Sequence, residues 1–147
     1  MISKEEYSRL VEEKSPKSPL LSNCVKAFLM GGIICTLGQG FINLYKALGI
    51  DEKTSGTLCS VSLIFIAAVL TATGLFTKIA KFAGAGILVP ITGFSNSVVS
   101  PAIEFKSEGF ILGIGARMFT IAGPVIVYGV TSSVLYGIIY YIYTLFQ

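Results

Sequence analysis

The sequence predicts an all-α integral membrane protein with about four transmembrane segments, the third of them broken or re-entrant. Hydrophobic residues make up 53% of the 147 and charged residues only 13%, against roughly a quarter charged in soluble domains. Uncharged runs long enough to cross about 30 Å of hydrocarbon recur along the chain. Between them lies a stretch just as apolar, Phe82 to Pro101, whose Gly84, Gly86, Pro90, Gly93, Ser95, Asn96 and Ser97 suit no plain helix.

Taken in order, residues 1–24 read as a polar N-terminal tail and residues 25–147 as the membrane domain. The tail carries Pro16 and Pro19 but no apolar h-region and no cleavage site, so it does not read as a signal peptide. Tyr7, Leu10 and Val11 recur at helical spacing among charges. A short surface helix at the lipid headgroups fits them, and so does a solvated, partly disordered tail.

The first span is expected near residues 27–45, which rise about 28 Å as a helix. Lys26 and Lys46 bracket it, placed to snorkel toward the two interfaces. Gly32, Thr36 and Gly40 form a small-residue face suited to close helix packing, and Gln39 and Asn43 add a polar stripe. The second span is expected near 57–76, closed by Lys78 and Lys81. Lys4, Arg9, Lys14, Lys17 and Lys26 precede the first span, whereas the loop after it holds Lys53 and the boundary Lys46. This asymmetry places the N-terminus on the cytoplasmic side.

The third segment, near 82–100, should break at Pro90, where a helix loses a hydrogen bond and clashes with the preceding turn. Gly84, Gly86 and Pro101 punctuate the same region. Free backbone groups in lipid are tolerated only inside protein or along a wet cavity, so the break should face inward, with Ser95 or Asn96 as the cap of a half-helix. Glu104 and Glu108 either sit in a solvated loop or line a polar pathway. Arg117 is either an interfacial anchor or an intramembrane cation that meets Glu104, Glu108 or an anionic solute. The last span is expected near 118–145, with a tilt or kink at Pro124 and an interfacial belt of Tyr136, Tyr140, Tyr141 and Tyr143. Residues 110–117 leave an extra half-span, and so a five-span count, open.

The candidate pore or ligand-lining residues are thus Gly93, Ser95, Asn96, Glu104, Glu108, Arg117, Gln39 and Asn43. Several function classes fall away. A net charge of +3 spread over segment ends is no nucleic-acid footprint. Histidine is absent, Cys24, Cys35 and Cys59 lack metal-ligand spacing, and no G-x-S-x-G motif occurs, so neither an enzyme nor a metal or other cofactor is expected. "GAGILV" lacks the third glycine and the βαβ setting of a dinucleotide fingerprint. The cysteines read as small packing residues.

Three blocks, "NCVKAFLMGGIICTLGQG" (Asn23 to Gly40), "FAGAGILVPITGFSNS" (Phe82 to Ser97) and "EFKSEG" (Glu104 to Gly109), resemble the SpoVA membrane subunits of endospore-forming bacteria. The first and third blocks point to the stage V sporulation protein AC family, and the middle block is also similar to the sister AE family. The resemblance implies movement of dipicolinic acid, as its calcium chelate, into the forespore and its release during germination. It further implies tension-gated channel activity, location in the inner membrane of the spore, and assembly with other SpoVA membrane subunits and a soluble thiolase-like subunit. A non-conducting scaffold that anchors such a complex is the alternative to a pore-forming subunit.

Overall fold

The structure, a computed structural model, describes residues 3–14 and 18–146, and the described residues contain helices and turns but no strand. Pro16 and Lys17, which entered the expectations above, lie outside the described residues. Among the described residues, three helices are long and apolar enough to cross a membrane: Leu20–Ala47, Glu52–Ala72 and a continuous run over Phe110–Leu145. The broken segment lies between the second and the third.

Helix α1 (Lys4–Lys14) starts with a reciprocal cap, in which the Glu6 N–H donates to Ser3 Oγ and the Ser3 N–H donates to Glu6 Oε2, both at 3.2 Å. Helix α2 (Leu20–Ala47) ends in a Schellman turn. The Ile50 N–H donates to the Tyr45 carbonyl and the Gly49 N–H to that of Lys46, and Gly49 takes a φ of 84° that a side chain would disfavour. Asp51 then caps α3 (Glu52–Ala72), accepting from the Thr54 N–H at 3.0 Å. Lys46 and Glu52 pair at 2.9 Å across this connection.

Helices α2 and α3 pack as an antiparallel hairpin bridged by polar side chains in the half nearest the connection. Tyr45 Oη lies 2.6 Å from Ser62 Oγ, and the buried Cys59 thiol donates to the Gly38 carbonyl at 3.3 Å. A Cβ on Gly38 would meet Cys59 Sγ at 3.6 Å, whereas a Cβ on Gly32 or Gly40 would have no neighbouring helix within 4 Å. The expected small-residue face therefore packs against nothing within this chain. Close contact is made instead by Gly38, against Cys59 and Leu63 of α3, and by Gly31, against the backbone of Gly86, two and one residues out of register with it.

The second span stops at Ala72, short of the expected Phe76, because the chain turns at Gly74. Lys78 and Lys81 consequently belong to a separate amphipathic helix, α4 (Leu75–Ala83). It folds Phe76 beneath itself to 1% exposure, against Ala67, Ala83 and Ile87 with Met30 and Ile34 alongside. With lipid outside, such packing is favoured by dispersion contacts more than by release from water. Gly84, at a φ of 53°, turns the chain into a single helical turn, α5 (Ala85–Leu88).

Gly86 does not break the chain, contrary to expectation. It lies within α5 and is the point where that turn rests on α2, since a Cβ there would collide with the backbone of Ala27. The break at Pro90 is present: its extended backbone precedes α6 (Ile91–Glu104). Pro101 breaks nothing, because it sits in the last turn of α6 and the helix runs on to Glu104. The bond lost there falls at the Ser97 carbonyl, and few residues remain for the ring to disrupt.

A 3-10 turn (Lys106–Glu108) and a π-helical turn (Phe110–Gly115) lead into α7 (Ala116–Leu145). The π turn is continuous with α7, so residues 110–117 extend the last span and form no separate half-span. Helix α7 continues through Pro124.

Candidate functional site

The half-helix α6 is fastened to α3 by polar side chains. Ser95, 4% exposed, donates from Oγ to the Ile64 carbonyl at 3.0 Å. Thr71 Oγ1 reaches both the Ala67 carbonyl at 2.7 Å and Asn96 Oδ1 at 3.1 Å. Neither Ser95 nor Asn96 caps the helix, as had been expected. Pro90 starts it one turn earlier, so both residues stand in the second turn, facing a neighbour. At the start of α6, Thr92 Oγ1 donates to the Ile87 carbonyl at 2.9 Å, and a Cβ on Gly93 would collide with the Leu88 backbone. The chain is thereby drawn tightly back on itself.

With one side fixed on α3, α6 turns another toward α7, and a groove of about 530 Å³ opens between them. Gly93, Asn96, Ser97, Ser100, Pro101 and Glu104 line it from α6, at the three-and-four spacing of one helical face. Arg117, Thr120 and Ile121 line it from α7, and Leu88 and Phe105 complete it. The Arg117 guanidinium lies 4.5 Å from the centroid of the Phe105 ring, a cation–π contact. Arg117 does not pair with Glu104 or Glu108; the one ion pair among the described residues is Lys46–Glu52. The groove thus holds an unpaired carboxylate and an unpaired guanidinium at exposed positions, with hydroxyls and an amide between apolar walls.

Of the residues expected at a pore or ligand site, Gly93, Asn96, Glu104 and Arg117 come together here. Ser95 is turned away, buried against α3. Glu108 is exposed in the 3-10 turn and does not line the groove. Gln39 and Asn43 stand on α2, where Gln39 Nε2 donates to Asn43 Oδ1 at 2.9 Å, and they take no part in it. Ser97, Ser100 and Thr120 were missed as lining residues. The signal for the first two was the repeat of small and polar residues from Gly93 to Glu104, which becomes visible once Pro101 is allowed inside the helix.

The sequence matches the family model of SpoVAC/SpoVAEB sporulation membrane proteins over residues 23–139. It is 49% identical to the stage V sporulation protein AC of Bacillus subtilis (strain 168) over 137 residues, which covers 92% of this chain and 91% of that protein. No solved structure matches it.

Proposed function

Because this chain belongs to the SpoVAC/SpoVAEB family of sporulation membrane proteins, we propose that it is a transport or channel subunit for dipicolinic acid. In this role it carries the calcium chelate into the forespore and lets it out in germination, with the α6–α7 groove in contact with the solute. The supporting observation is the composition of that groove. Calcium dipicolinate presents a metal ion and two carboxylates on a flat aromatic ring, and the groove opposes to these the Glu104 carboxylate, the Arg117 guanidinium and apolar walls. Asn96, held by Thr71, adds a fixed amide. A path of this kind works by solvation and requires no chemical step at the protein.

The working location is the inner membrane of the forespore and spore, with the N-terminus on the core side. Tension is the gating input, and the partners are other SpoVA membrane subunits and a soluble thiolase-like subunit. These assignments rest on the family resemblance and, for the orientation, on the lysine asymmetry. A second reading, a non-conducting scaffold, is favoured by the α2 face of Gly32, Thr36 and Gly40, which has no partner within the chain.

Flux measurements separate the two. Purified protein is reconstituted in liposomes loaded with calcium dipicolinate and subjected to osmotic downshift, comparing the unaltered chain with Asn96→Leu, Glu104→Gln and Arg117→Gln. A pore subunit releases solute under tension, and each substitution changes the rate several-fold. Release no faster than from protein-free liposomes, with the protein inserted and folded, rejects a self-sufficient pore and supports the scaffold.

A further inference from the structure

The lysines of α2, α3 and α4 fall at different ends of the α2–α3 hairpin and meet different company. At the α2–α3 connection, Lys46 is neutralised by Glu52 at 2.9 Å, and Asp51 stands two residues before Lys53. At the opposite end, Lys26 near the start of α2 lies over the ring of Phe82 on α4, with Nζ 5.2 Å from the centroid. Lys78 and Lys81 are exposed on the same short helix, one turn and one residue before Phe82. Among the described residues, no carboxylate lies within ion-pair distance of Lys26, Lys78 or Lys81.

Helix α4 has the form of an interfacial helix. Phe76 and Ala83 are buried against the hairpin, and Lys78, Lys81, Leu75 and Phe82 are exposed. It also follows the end of α3 directly, at the end of the hairpin marked by Lys26. Phe82 is 59% exposed despite its contact with Lys26. An exposed aromatic ring under one uncompensated cation, with two more on the same short helix at the end of a membrane span, matches a surface that is apolar just below and negatively charged just above.

We propose that Lys26, Lys78 and Lys81, grouped around Phe82 at the α2–α4 corner, form a docking site for the headgroups of anionic phospholipids. The negative charge of the headgroup phosphodiester is met by the ammonium groups, and Phe82 enters the acyl boundary beneath them. Charge complementarity selects this occupant, because the corner presents cations that no carboxylate among the described residues answers. The site does not depend on what the α6–α7 groove conducts.

The test uses the full chain in proteoliposomes containing a headgroup-photoactivatable phosphatidylglycerol or the corresponding phosphatidylcholine, with crosslinks mapped by peptide. The expected result is phosphatidylglycerol labelling around residues 75–83 and Lys26 about five-fold or more above phosphatidylcholine, one lysine's contribution near a charged surface being of that order. The preference disappears in the combined Lys26→Gln, Lys78→Gln, Lys81→Gln chain, survives in Lys78→Arg with Lys81→Arg, and survives in Lys46→Gln with Lys53→Gln. Equal labelling by the two lipids in the unaltered chain overturns the proposal, as does a preference untouched by the triple substitution. Inorganic phosphate that abolishes the preference where chloride of equal ionic strength does not also overturns it, by identifying a free-anion pocket in place of a lipid surface.

Discussion

The α2–α3 hairpin and the broken stretch from α4 to α6 are comparably apolar, yet they handle backbone and polar groups in opposite ways. In α3, Thr57, Ser60 and Ser62 donate to the carbonyl one turn back and are satisfied locally. In the broken stretch, the turns at Gly84 and Pro90 release α6 from a simple crossing path, and Ser95 and Asn96 reach across to α3. A regular helix spends most of its hydroxyls on its own carbonyls, with Tyr45 and Cys59 left to bridge the hairpin. An interrupted one has polar groups to spend on neighbours and on a groove.

Steric substitution should break the contrast most sharply. Gly86→Val drives a side chain into the Ala27 backbone and should cost about 3 kcal/mol, while Gly32→Val, on the open face of the same α2, should leave the isolated chain's melting temperature nearly unchanged. Thermal melts of the two variants in detergent decide this; equal losses would mean that the α2–α5 contact is not tight. The Gly32 variant should instead show its effect when the chain is assembled with partners, if that face is a contact.

Hydrogen bonds give a smaller and finer comparison. Ser95→Ala removes the bond to the Ile64 carbonyl from a buried site and should destabilise by about 0.6–2 kcal/mol. Ser60→Ala removes only a bond to its own helix at Gly56 and should stay within about 0.5 kcal/mol of the parent. Chemical or thermal unfolding of both measures the difference, and a Ser60 loss as large as that of Ser95 would erase the distinction between local and cross-helix use of hydroxyls.

The smallest effect belongs to the hairpin's connection. Hydrogen bonds from Thr54, its side chain first and then its backbone, hold the Asp51 carboxyl below the usual aspartate range. A depressed folded value means that the cap's contribution is present above the unfolded pKa, about 3.9, and is lost as pH falls through the lower folded value. Asp51→Ala should therefore lower the melting temperature slightly at neutral pH, where the cap acts, and flatten the acid dependence of melting below about pH 4. An unchanged acid dependence in that variant would assign the effect elsewhere.

Much of this architecture was legible because composition and span length are governed by the solvent. Lipid requires long uncharged helices, and the spans expected near 27–45 and 118–145 fall inside Leu20–Ala47 and Phe110–Leu145, each of which begins about two turns earlier. The break at Pro90 was legible because proline's missing donor acts locally. The turn at Gly74 was hidden, because nothing in "TATGLF" interrupts the apolar run; it is fixed by the burial of Phe76, a tertiary event. Pro101 misled because its effect depends on how many residues follow it in the helix. In the groove, Asn96, Glu104 and Arg117 were identifiable by chemistry alone. The direction of Ser95, and the choice of Gly31 and Gly38 over Gly32 and Gly40, depend on the rotation of α6 and α2 about their axes, which a single periodic pattern does not determine.

The seam between α2 and α5 has a mechanical corollary. Where Gly86 rests on Ala27, and Gly31 would place a Cβ 3.6 Å from the Gly86 carbonyl, main chain meets main chain with no long side chains between. Dispersion falls off so steeply that a gap of about 0.5–1 Å already forfeits a quarter to a half of such a contact. Interdigitated leucines can slide and stay in touch over a longer travel. The glycine seam cannot stretch in that way, so it is brittle: intact under small lateral strain, and parted within a short displacement once that strain is exceeded.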